Sequence, residues 1–349
     1  MKGRSKGRSG WRQLATVHHV VLALSIFIAL FCAAYLIGNL FDAQEEVPPE
    51  TRGTIKGRFK PTVTMILDGK EYFYFDNFCT NILIVGVDKE DVNNVSTYRN
   101  GGQADFLMIL SFDRRTQSIT PIHIDRDTIA DVKVYSPFGH EAGINKMQIC
   151  LSHAFGNDEE VNCQNTIWAV EQLMMGIPID HYLVLDMEGI AILNDELGGV
   201  TVTLEDDFSH LDPAMTRGTT LTLRGKQAEY FVRSRHDVGD HSNRQRMNRQ
   251  RVFLNGMGEL LEQKLTEDPL FAVNLFEKLD GHVYASIDGN WIHNQSYVIQ
   301  HYDRRDIVDL KGEHRIGPDG YMEFHLDEKG LKQLIRDIYM IGEEEVGYQ

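Results

Sequence analysis

Apolar runs of strand length are the feature of this sequence that most restricts its fold. They occur between residues 81 and 205 and read NILIVGVD, FLMILSFD, SITPIHID, HYLVLD and VTVTLE. The runs are nearly continuous rather than alternating, which is typical of strands that are covered on both faces. The sequence therefore predicts a central, mostly buried β-sheet.

Helical patterns separate or follow these runs. The segment NTIWAVEQLMMGI places apolar side chains on one helical face, namely Ile167, Val170, Leu173 or Met174, and Ile177. The segment MEGIAILNDELGG is a second helix that its glycines end. A third helix is predicted from about 243 to 265, with the inner stripe Met247, Leu254, Leu261 and Leu265. Together the patterns predict an α/β fold, organised as a three-layer α/β/α domain.

An uncharged run at 20–41 precedes this domain. At 22 residues it is long enough to cross a bilayer as a helix. A cleaved signal peptide is the alternative, but its apolar core would be shorter and would end at small residues. This run instead continues through Tyr35, Leu36 and Ile37. The basic residues of segment 1–12 favour a cytoplasmic N-terminus, so we expect a single-pass protein of the cell membrane with an extracellular domain.

The pattern divides the chain into successive segments. These are a cytoplasmic basic tail (1–13), a transmembrane helix (14–41), a juxtamembrane tether (42–76), the main folded domain (77–290) and a C-terminal appendage (291–349). The tether begins with the acidic, proline-interrupted QEEVPPE and ends in residues of strand character. We expect it to lift the folded domain off the membrane surface.

Charge and cysteine spacing bear on which partners are possible. The formal charge is −16, and the residues after the basic start carry 30 bases against 51 acids, or −21. Such a surface repels nucleic acid, so no nucleic-acid partner is expected. The cysteines lack the CxxC spacing of common metal sites. Cys150 and Cys163 either form a disulfide or remain free thiols in a reducing habitat.

Carboxylates lie at two predicted strand ends. Asp88 closes NILIVGVD, and Asp105 opens FLMILSF after the loop RNGGQA. Ligands of open α/β sheets gather at strand ends, and paired carboxylates suit Mg²⁺ or Mn²⁺. The alternative is that these acids only cap helices or face water. A second cluster, HIDRDT, places Arg126 between Asp125 and Asp127, where it forms an internal ion pair or binds an anion.

An arginine-rich stretch, YFVRSRHDVGDHSNRQRMNRQRV, stands out in this acidic chain. Arg246, Arg249 and Gln250 share one helical face through their i, i+3 and i+4 spacing. The predicted helix N-terminus beside them adds positive potential. Arg244 and Arg251 lie off this face and are predicted to be surface charges.

Arg233 and Arg235 precede the turn HDVGD in the same stretch. A guanidinium group is a planar fork that binds two phosphate oxygens. The stretch is therefore a candidate site for a diphosphate whose cation is held by the aspartates. A solvated basic face and a contact with anionic lipid headgroups are the alternatives.

Several motifs occur in a characteristic order: GVD, GGQAD, IDRDT, INKM, HAFG, GIPIDHYLVLDMEGI, LNDELGGVTV, GKQAEYFVRSR and RMNRQR. In this ordered set the chain resembles the LytR-CpsA-Psr family from about residue 78 to 265. The resemblance implies a membrane-anchored, magnesium-dependent phosphotransferase. Such an enzyme moves a glycopolymer, such as teichoic acid or capsular polysaccharide, from a polyprenyl-pyrophosphate carrier to a sugar hydroxyl of peptidoglycan.

The resemblance also implies roles for single residues. By motif, Asp88 and Asp105 are the metal ligands. The expected diphosphate contacts are Arg126, Arg233, Arg235, Arg246 and Gln250. Asp127 either orients Arg126 or acts as a base, so Arg126 and Asp127 are the expected catalytic residues. The implied partners are the lipid-linked glycan donor, the peptidoglycan acceptor and the bilayer.

Two positions depart from the family pattern. Gln103 stands where many relatives have an arginine, and Phe106 replaces a small polar residue. The missing positive charge keeps two alternatives open, a non-catalytic polyprenyl-phosphate glycan binding or regulatory protein and a polyprenyl-pyrophosphate hydrolase. The polyprenyl tail needs an apolar slot, for which the candidates, otherwise ordinary core residues, are Ile149, Leu151, Phe155, Met174, Met175 and Leu193.

Overall fold

The computed structural model describes residues 60–89, 92, 101–235 and 237–346. The predicted basic tail, the predicted transmembrane helix and most of the tether lie outside these residues. Within them, no helix combines the length and the apolar character that a bilayer crossing requires. The described residues fall within a single compact unit.

The chain forms short strands and helices in mixed order. The strands are β1 (Val63–Leu67), β2 (Lys70–Tyr74), β3 (Cys79–Val87), β4 (Ala104–Asp113), β5 (Ser118–Ile124), β6 (Ile129–Tyr135), β7 (Glu141–Gln148), β8 (His181–Leu185), β9 (Thr201–Thr203), β10 (Thr220–Thr222), β11 (Val283–Ala285), β12 (Asp303–Arg304), β13 (Val308–Asp309), β14 (Gly312–Ile316), β15 (Met322–Leu326) and β16 (Ile341–Gly342). The helices are α1 (Glu159–Leu173), α2 (Met187–Leu197), α3 (Lys226–Arg233), α4 (Asn243–Glu267), α5 (Phe271–Lys278), α6 (Gly289–His301), α7 (Glu328–Tyr339) and α8 (Glu343–Val346), with a 3₁₀ helix at Ile149–His153.

A mixed sheet forms the centre of the fold. Its strand order is β11-β8-β3-β4-β5, and β12 and β13 both pair with the outer edge of β5. Strand β3 is parallel to β8 and antiparallel to β4, and β4 is antiparallel to β5. The predicted apolar runs before residue 190 form β3, β4, β5 and β8 of this sheet. The α/β prediction is therefore confirmed as a mixed α/β fold with a central sheet.

The run VTVTLE is the exception, because the prediction that it joins the buried sheet is wrong. Strand β9 pairs only with β10, in a separate two-stranded ribbon among the described strands. Thr201 and Thr203 are exposed on either side of buried Val202, and their hydroxyls lie 2.8 Å from those of Thr222 and Thr220. The ribbon buries one face only, as alternation of polar and apolar residues predicts.

One face of the central sheet packs on α1 and α7. Leu83 of the sheet, Val170 of α1 and Ile335 of α7 are fully buried in one apolar cluster. Burial of each such side chain contributes about 1.5–3 kcal/mol, so the cluster fixes both helices on the sheet. The predicted inner face of α1 is confirmed in part: Val170 is fully buried and Ile167 is half-buried, whereas Met174 and Ile177, also fully buried, follow the end of the helix.

Residues from both sides of the predicted boundaries at 76 and 290 contribute to this cluster. Met65 of β1 and Tyr339 of α7 belong to it, and the ring of Tyr339 packs edge-on against Tyr74 with the centroids 6.0 Å apart. Strand β16 also pairs with β2. The end of the predicted tether and the last long helix of the predicted appendage thus share the core of the central sheet.

Helix α4 begins where the sequence predicts. Ser242 caps it, since its hydroxyl accepts a backbone N–H of the first turn at 3.1 Å. The predicted inner stripe is wrong in the N-terminal half, where the buried side chains are Asn243, Arg246, Arg249 and Gln250. Hydrophobic periodicity treats arginine as an outward-facing residue. It therefore misses a helix face that buries guanidinium groups against acceptors.

The second face of the central sheet buries a histidine. The side chain of His123 in β5 is 2% exposed, its ring centroid lies 5.1 Å from that of Phe106, and its Nδ1 lies 3.6 Å from Asp309 Oδ1. Burial lowers the pKa of His123 to about 4, and the opposing attraction of Asp125 offsets only part of that effect. His123 is therefore neutral in the folded protein near pH 7.

We expect the fold to lose stability as the pH falls from about 6.5 to about 4. His123 takes up a proton near pH 6.5 in the unfolded chain but only near pH 4 in the folded chain. Protonation therefore favours unfolding in this window, by about 2 kcal/mol between pH 7 and pH 5. Urea denaturation at both pH values measures this loss. His123→Gln should remove this part of the pH dependence, and an unchanged dependence in the variant would contradict the buried neutral ring.

Candidate active site

The strand registers bring the predicted carboxylates and Arg126 together. Extension of the β4–β5 register places Asp105 directly across from Arg126, and the two side chains form an ion pair between Nη1 and Oδ1. On the other side of β4, the Asp88 N–H donates to the carbonyl of Gln103 at 3.2 Å. The predicted metal ligands and the predicted catalytic arginine therefore lie at the ends of three neighbouring strands.

The guanidinium of Arg126 has the most partners at these strand ends. Its Nη2 donates to Gln103 Oε1 and lies 3.1 Å from Cys150 Sγ, and its Nε lies 3.4 Å from Asp127 Oδ1. Burial lowers the pKa of Arg126, but Cys150, Asp105 and Asp127 together outweigh burial and raise it. Gln103 thus serves as an acceptor for Arg126.

Asp127 is held beside Arg126 with one oxygen unpaired. Its N–H donates to Asp125 Oδ1 at 2.9 Å. Its own Oδ2 is buried and has no hydrogen-bond partner among the described residues. Burial, followed by repulsion from Asp125, raises the pKa of Asp127. A raised pKa makes a carboxylate a better proton acceptor, so the position allows both predicted roles, orientation of Arg126 and general base.

Arg246 reaches Asp105 from helix α4. Its side chain is 5% exposed, and Nη1 lies 3.5 Å from Asp105 Oδ2. Its Nε and Nη2 donate to Asn243 Oδ1 at 3.1 and 2.6 Å. Asn243 Nδ2 in turn donates to Asp125 Oδ1 at 2.7 Å, and His314 Nε2 donates to Asp125 Oδ2 at 2.8 Å. A continuous chain of hydrogen bonds therefore links Arg246 to strand β14.

Arg233 and Arg235 approach from the end of α3. Arg233 Nη2 donates to Asp88 Oδ1 at 2.5 Å, and its Nη1 donates to Glu229 Oε1 at 3.1 Å. Arg235 is half-buried, and its charge offsets part of the rise in the pKa of Asp127. The arginines that the sequence predicts to bind phosphate therefore converge on the same strand ends.

Arg249 and Gln250 hold the end of α3 in place. Arg249 Nε donates to the Phe231 carbonyl at 2.9 Å, and its Nη1 donates to Asp206 Oδ2 at 3.0 Å. Gln250 Nε2 donates to the Val232 carbonyl at 3.2 Å. Both side chains are buried. Because the amide nitrogen of Gln250 is engaged with α3, the diphosphate contact of this residue stays a prediction.

Two further predictions concern the surface charges Arg244 and Arg251 and the pairing of Cys150 with Cys163. Arg244 is exposed, as predicted, but Arg251 forms an ion pair with Asp309 and is not a free surface charge. Cys150 and Cys163 are buried free thiols. Of the two alternatives that the sequence leaves open, the disulfide is therefore not formed.

The residues expected to line an apolar slot do not share one surface. Ile149 and Met174 are fully buried in the main core, whereas Leu193 packs in a separate cluster against α5. The remaining candidates are half-buried, namely Leu151, Phe155 and Met175. These side chains serve as ordinary packing and do not locate a lipid-binding site.

Sequence reasoning missed Cys150, Asn243 and His314 as parts of this site. Asn243 has a usable signal, because it lies three residues before Arg246 at the start of the same helix. Cys150 follows β7 directly, but nothing in its neighbours indicates a contact with Arg126. His314 has no local signal at all, since it lies 189 residues from Asp125, the carboxylate to which it donates.

Comparison with known proteins gives matches over most of the described residues. The sequence profile of the LytR_cpsA_psr family matches residues 65–337. The polyisoprenyl-teichoic acid–peptidoglycan teichoic acid transferase TagU of Bacillus licheniformis is 29% identical over 51% of this chain and 50% of that protein. TagU of Halalkalibacterium halodurans is 33% identical over 48% and 49%, respectively. The cell wall biosynthesis protein LcpA of Corynebacterium glutamicum is 26% identical over 55% and 41%. The chain spans about half the length of these curated relatives.

Solved structures share the fold. The protein gbs0355 from Streptococcus agalactiae superposes with a TM-score of 0.61 at 20% identity, over 78% of this chain and 90% of that one. A structure described as TagT bound to LI-WTA superposes with a TM-score of 0.57 at 17% identity, over 85% and 99%. At these identities the likeness establishes the fold alone.

Asp105→Asn is expected to lower the free energy of unfolding by about 3 kcal/mol. The variant takes a carboxylate away from Arg126 and Arg246, whose side chains are only 15% and 5% exposed. Asp88→Asn is the matched control, because its partner Arg233 is 45% exposed, and we expect a loss below about 1 kcal/mol. Urea denaturation measures both losses. Equal losses in the two variants would show that burial does not govern these ion pairs.

Proposed function

Because the chain belongs to the LytR-CpsA-Psr family, we propose that it is a membrane-anchored glycopolymer phosphotransferase. The proposed donor is a teichoic acid or capsular polysaccharide on a polyprenyl-pyrophosphate carrier, and the proposed acceptor is a sugar hydroxyl of peptidoglycan. The names of the TagU and LcpA relatives support this class of reaction. The extracellular position, the anchor at 14–41 and the three-layer arrangement belong to the same proposal.

The convergence of arginines on two strand-end carboxylates is the observation that carries the proposal. Arg126 and Arg246 both contact Asp105, and Arg233 contacts Asp88. Each of these guanidinium groups has further N–H donors that can bind phosphate oxygens. A diphosphate that replaces Asp105 as their partner would keep the buried guanidinium groups of Arg126 and Arg246 paired, which a neutral sugar alone would not do.

The carboxylates suit a hard cation. Asp88 and Asp105 offer oxygen ligands from adjacent strands. Arginine side chains balance the charge of both carboxylates. A bound divalent cation would do the same, because it prefers oxygen ligands. We expect them to hold Mg²⁺, or Mn²⁺. When bound, the ion would offset negative charge that develops on the phosphate oxygens.

The side chains present account for the remaining requirements of phosphoryl transfer. The acceptor hydroxyl oxygen attacks the phosphorus that carries the glycan. The bond between this phosphorus and polyprenyl phosphate then breaks, and polyprenyl phosphate leaves with the electron pair of the broken bond. Arg126 and Arg246 stabilise the charge on the oxygens that do not react. Asp127, with its raised pKa, takes the hydroxyl proton or keeps Arg126 aligned. Arg233 and Arg235 bind the second phosphate of the diphosphate.

Reconstitution tests the proposal directly. We expect the full-length protein in detergent to join the glycan of a polyprenyl-pyrophosphate donor to peptidoglycan in the presence of Mg²⁺ and to release polyprenyl phosphate. Arg126→Ala and Asp88→Asn should each lower the rate by about 100-fold or more. Arg244→Ala is the control, since this exposed arginine lies on the same helix but off the buried face. Mass spectrometry of the peptidoglycan and the lipid follows both products.

Two other outcomes would replace the proposal. Tight retention of the donor without any product would identify a binding or regulatory protein, the alternative that Gln103 keeps open. Release of polyprenyl phosphate at the same rate with and without peptidoglycan would identify a hydrolase.

His314 is expected to position Arg246 through Asp125 and Asn243. His314→Ala should lower kcat for transfer by about 10-fold, because Arg246 loses its fixed orientation. His314→Gln should restore most of the rate, since its amide can donate to the same carboxylate. An alanine variant with the kcat of the unaltered protein would show that the contact with Asp125 is not needed.

A further inference from the structure

A second cluster of polar side chains lies outside the diphosphate site. His153 ends the 3₁₀ helix, Glu159 begins α1, and Cys163 follows one helical turn later on the same face. All three residues are buried, with exposures of 0%, 6% and 2%. Their ligand atoms all lie within 4.8 Å of one another. No role in the transfer reaction is assigned to any of them.

The hydrogen bonding of His153 fixes which of its nitrogens has a lone pair. Nδ1 lies 3.1 Å from the carbonyl oxygen of Gly101. A carbonyl only accepts hydrogen bonds, so Nδ1 must be protonated. In a neutral imidazole the lone pair then resides on Nε2, which lies 3.0 Å from Glu159 Oε1 and 4.0 Å from Cys163 Sγ.

Nε2 of His153 and Oε1 of Glu159 therefore face each other as two acceptors, and the Cys163 thiol, a weak donor, lies 4.0 Å from Nε2. Glu159 Oε1 has no hydrogen-bond partner among the described residues, although Nε2 of His153 is close. Two lone pairs at this distance in a dry interior repel each other unless a cation lies between them. The cation is either a proton, which makes an imidazolium–carboxylate pair, or a metal ion. A proton satisfies only His153 and Glu159, whereas a metal ion also binds Cys163, which otherwise packs as an apolar side chain of the main core.

We propose that His153 Nε2, Glu159 Oε1 and Cys163 Sγ supply three of the four ligands of a Zn²⁺ ion. Imidazole, carboxylate and thiolate are the common protein ligands of zinc. Tetrahedral ligands at about 2.0–2.3 Å from the ion lie roughly 3.4–3.8 Å apart, which small side-chain adjustments reach from the observed separations. On binding, the ion displaces the thiol proton of Cys163 to solvent. The donation from His153 to a backbone carbonyl is the usual support of a zinc-bound histidine.

The proposed ion would brace the segment 101–103, here named the Gly101 loop. His153 donates to the Gly101 carbonyl, and a side chain on Gly101 would overlap with the His153 carbonyl and the Asn162 amide. Gln103 is the last residue of this loop, and Asp105 follows two residues later. Both side chains contact Arg126. The zinc therefore has a structural role and uses none of the residues proposed to hold Mg²⁺. Its presence does not depend on the proposed transfer activity.

Metal analysis of the full-length protein tests this site. The protein is purified in detergent through an affinity tag without histidine, and zinc is measured by mass spectrometry of the elements. We expect about one zinc ion per chain and its loss in Cys163→Ser. Cys79→Ala is the matched control and should keep the zinc, because Cys79 is an equally buried free thiol in another part of the fold.

Cobalt substitution gives a second readout, whose main measurement is made on the unaltered protein. After removal of zinc with a strong chelator, Co²⁺ should produce a near-ultraviolet sulfur-to-cobalt charge-transfer band in the unaltered protein, and this band should be absent in Cys163→Ser. A protein that retains no zinc and gives no cobalt band would overturn the proposal in favour of the imidazolium–carboxylate pair. Full retention of zinc by Cys163→Ser would overturn it as well.

Discussion

The ion pairs around Asp105 are the constraint on which the candidate site depends. Arg126 and Arg246 come from different parts of the chain, and both are largely buried against this one carboxylate. A buried guanidinium without a partner costs several kcal/mol, so β4, β5 and α4 must meet where Asp105 can serve both. The same pairing keeps donors ready for an anion, because a carboxylate and a phosphate present similar oxygens to a guanidinium.

Contacts from α4 fix the position of α3, the helix whose end supplies the remaining arginines. Arg249 and Gln250 donate to main-chain carbonyls at the end of α3, which determines where Arg233 and Arg235 leave that helix. The arginines of this stretch are thus unequal in role: some face the strand ends, one secures the backbone beneath them, and Arg251 pairs with Asp309. Backbone carbonyls make such a support insensitive to side-chain identity in α3.

The sequence predicts the parts of this molecule that depend on short-range pattern. Strands β3, β4 and β5 follow from continuous apolar runs, and the proximity of Asp88, Asp105 and Arg126 follows from their positions at strand ends, whereas the register that pairs Asp105 with Arg126 comes from the structure. Contacts of long sequence separation are not predictable in this way. Asp125 is shared by Asn243 and His314, which no local spacing relates. The buried face of α4 was not predicted, because hydrophobic periodicity measures apolar character. It does not measure the ion pairs and hydrogen bonds that allow an arginine to be buried.

A binding or catalytic site requires that charged groups be held within about 0.5 Å of their working positions, and Asp105 is supported from two sides. On one side, His314 orients Arg246 through Asp125 and Asn243. On the other, His153 holds the Gly101 loop, which leads directly into Asp105. Each support ends on a histidine that donates to an oxygen, and the second ring nitrogen of His153 lies 3.0 Å from Glu159 Oε1. A metal ion there would fix His153, and with it the Gly101 loop, as long as the thiolate and the carboxylate stay bound to the ion. Such an ion would also bind the thiolate of Cys163, which an ion pair between His153 and Glu159 leaves as one more side chain of the apolar core.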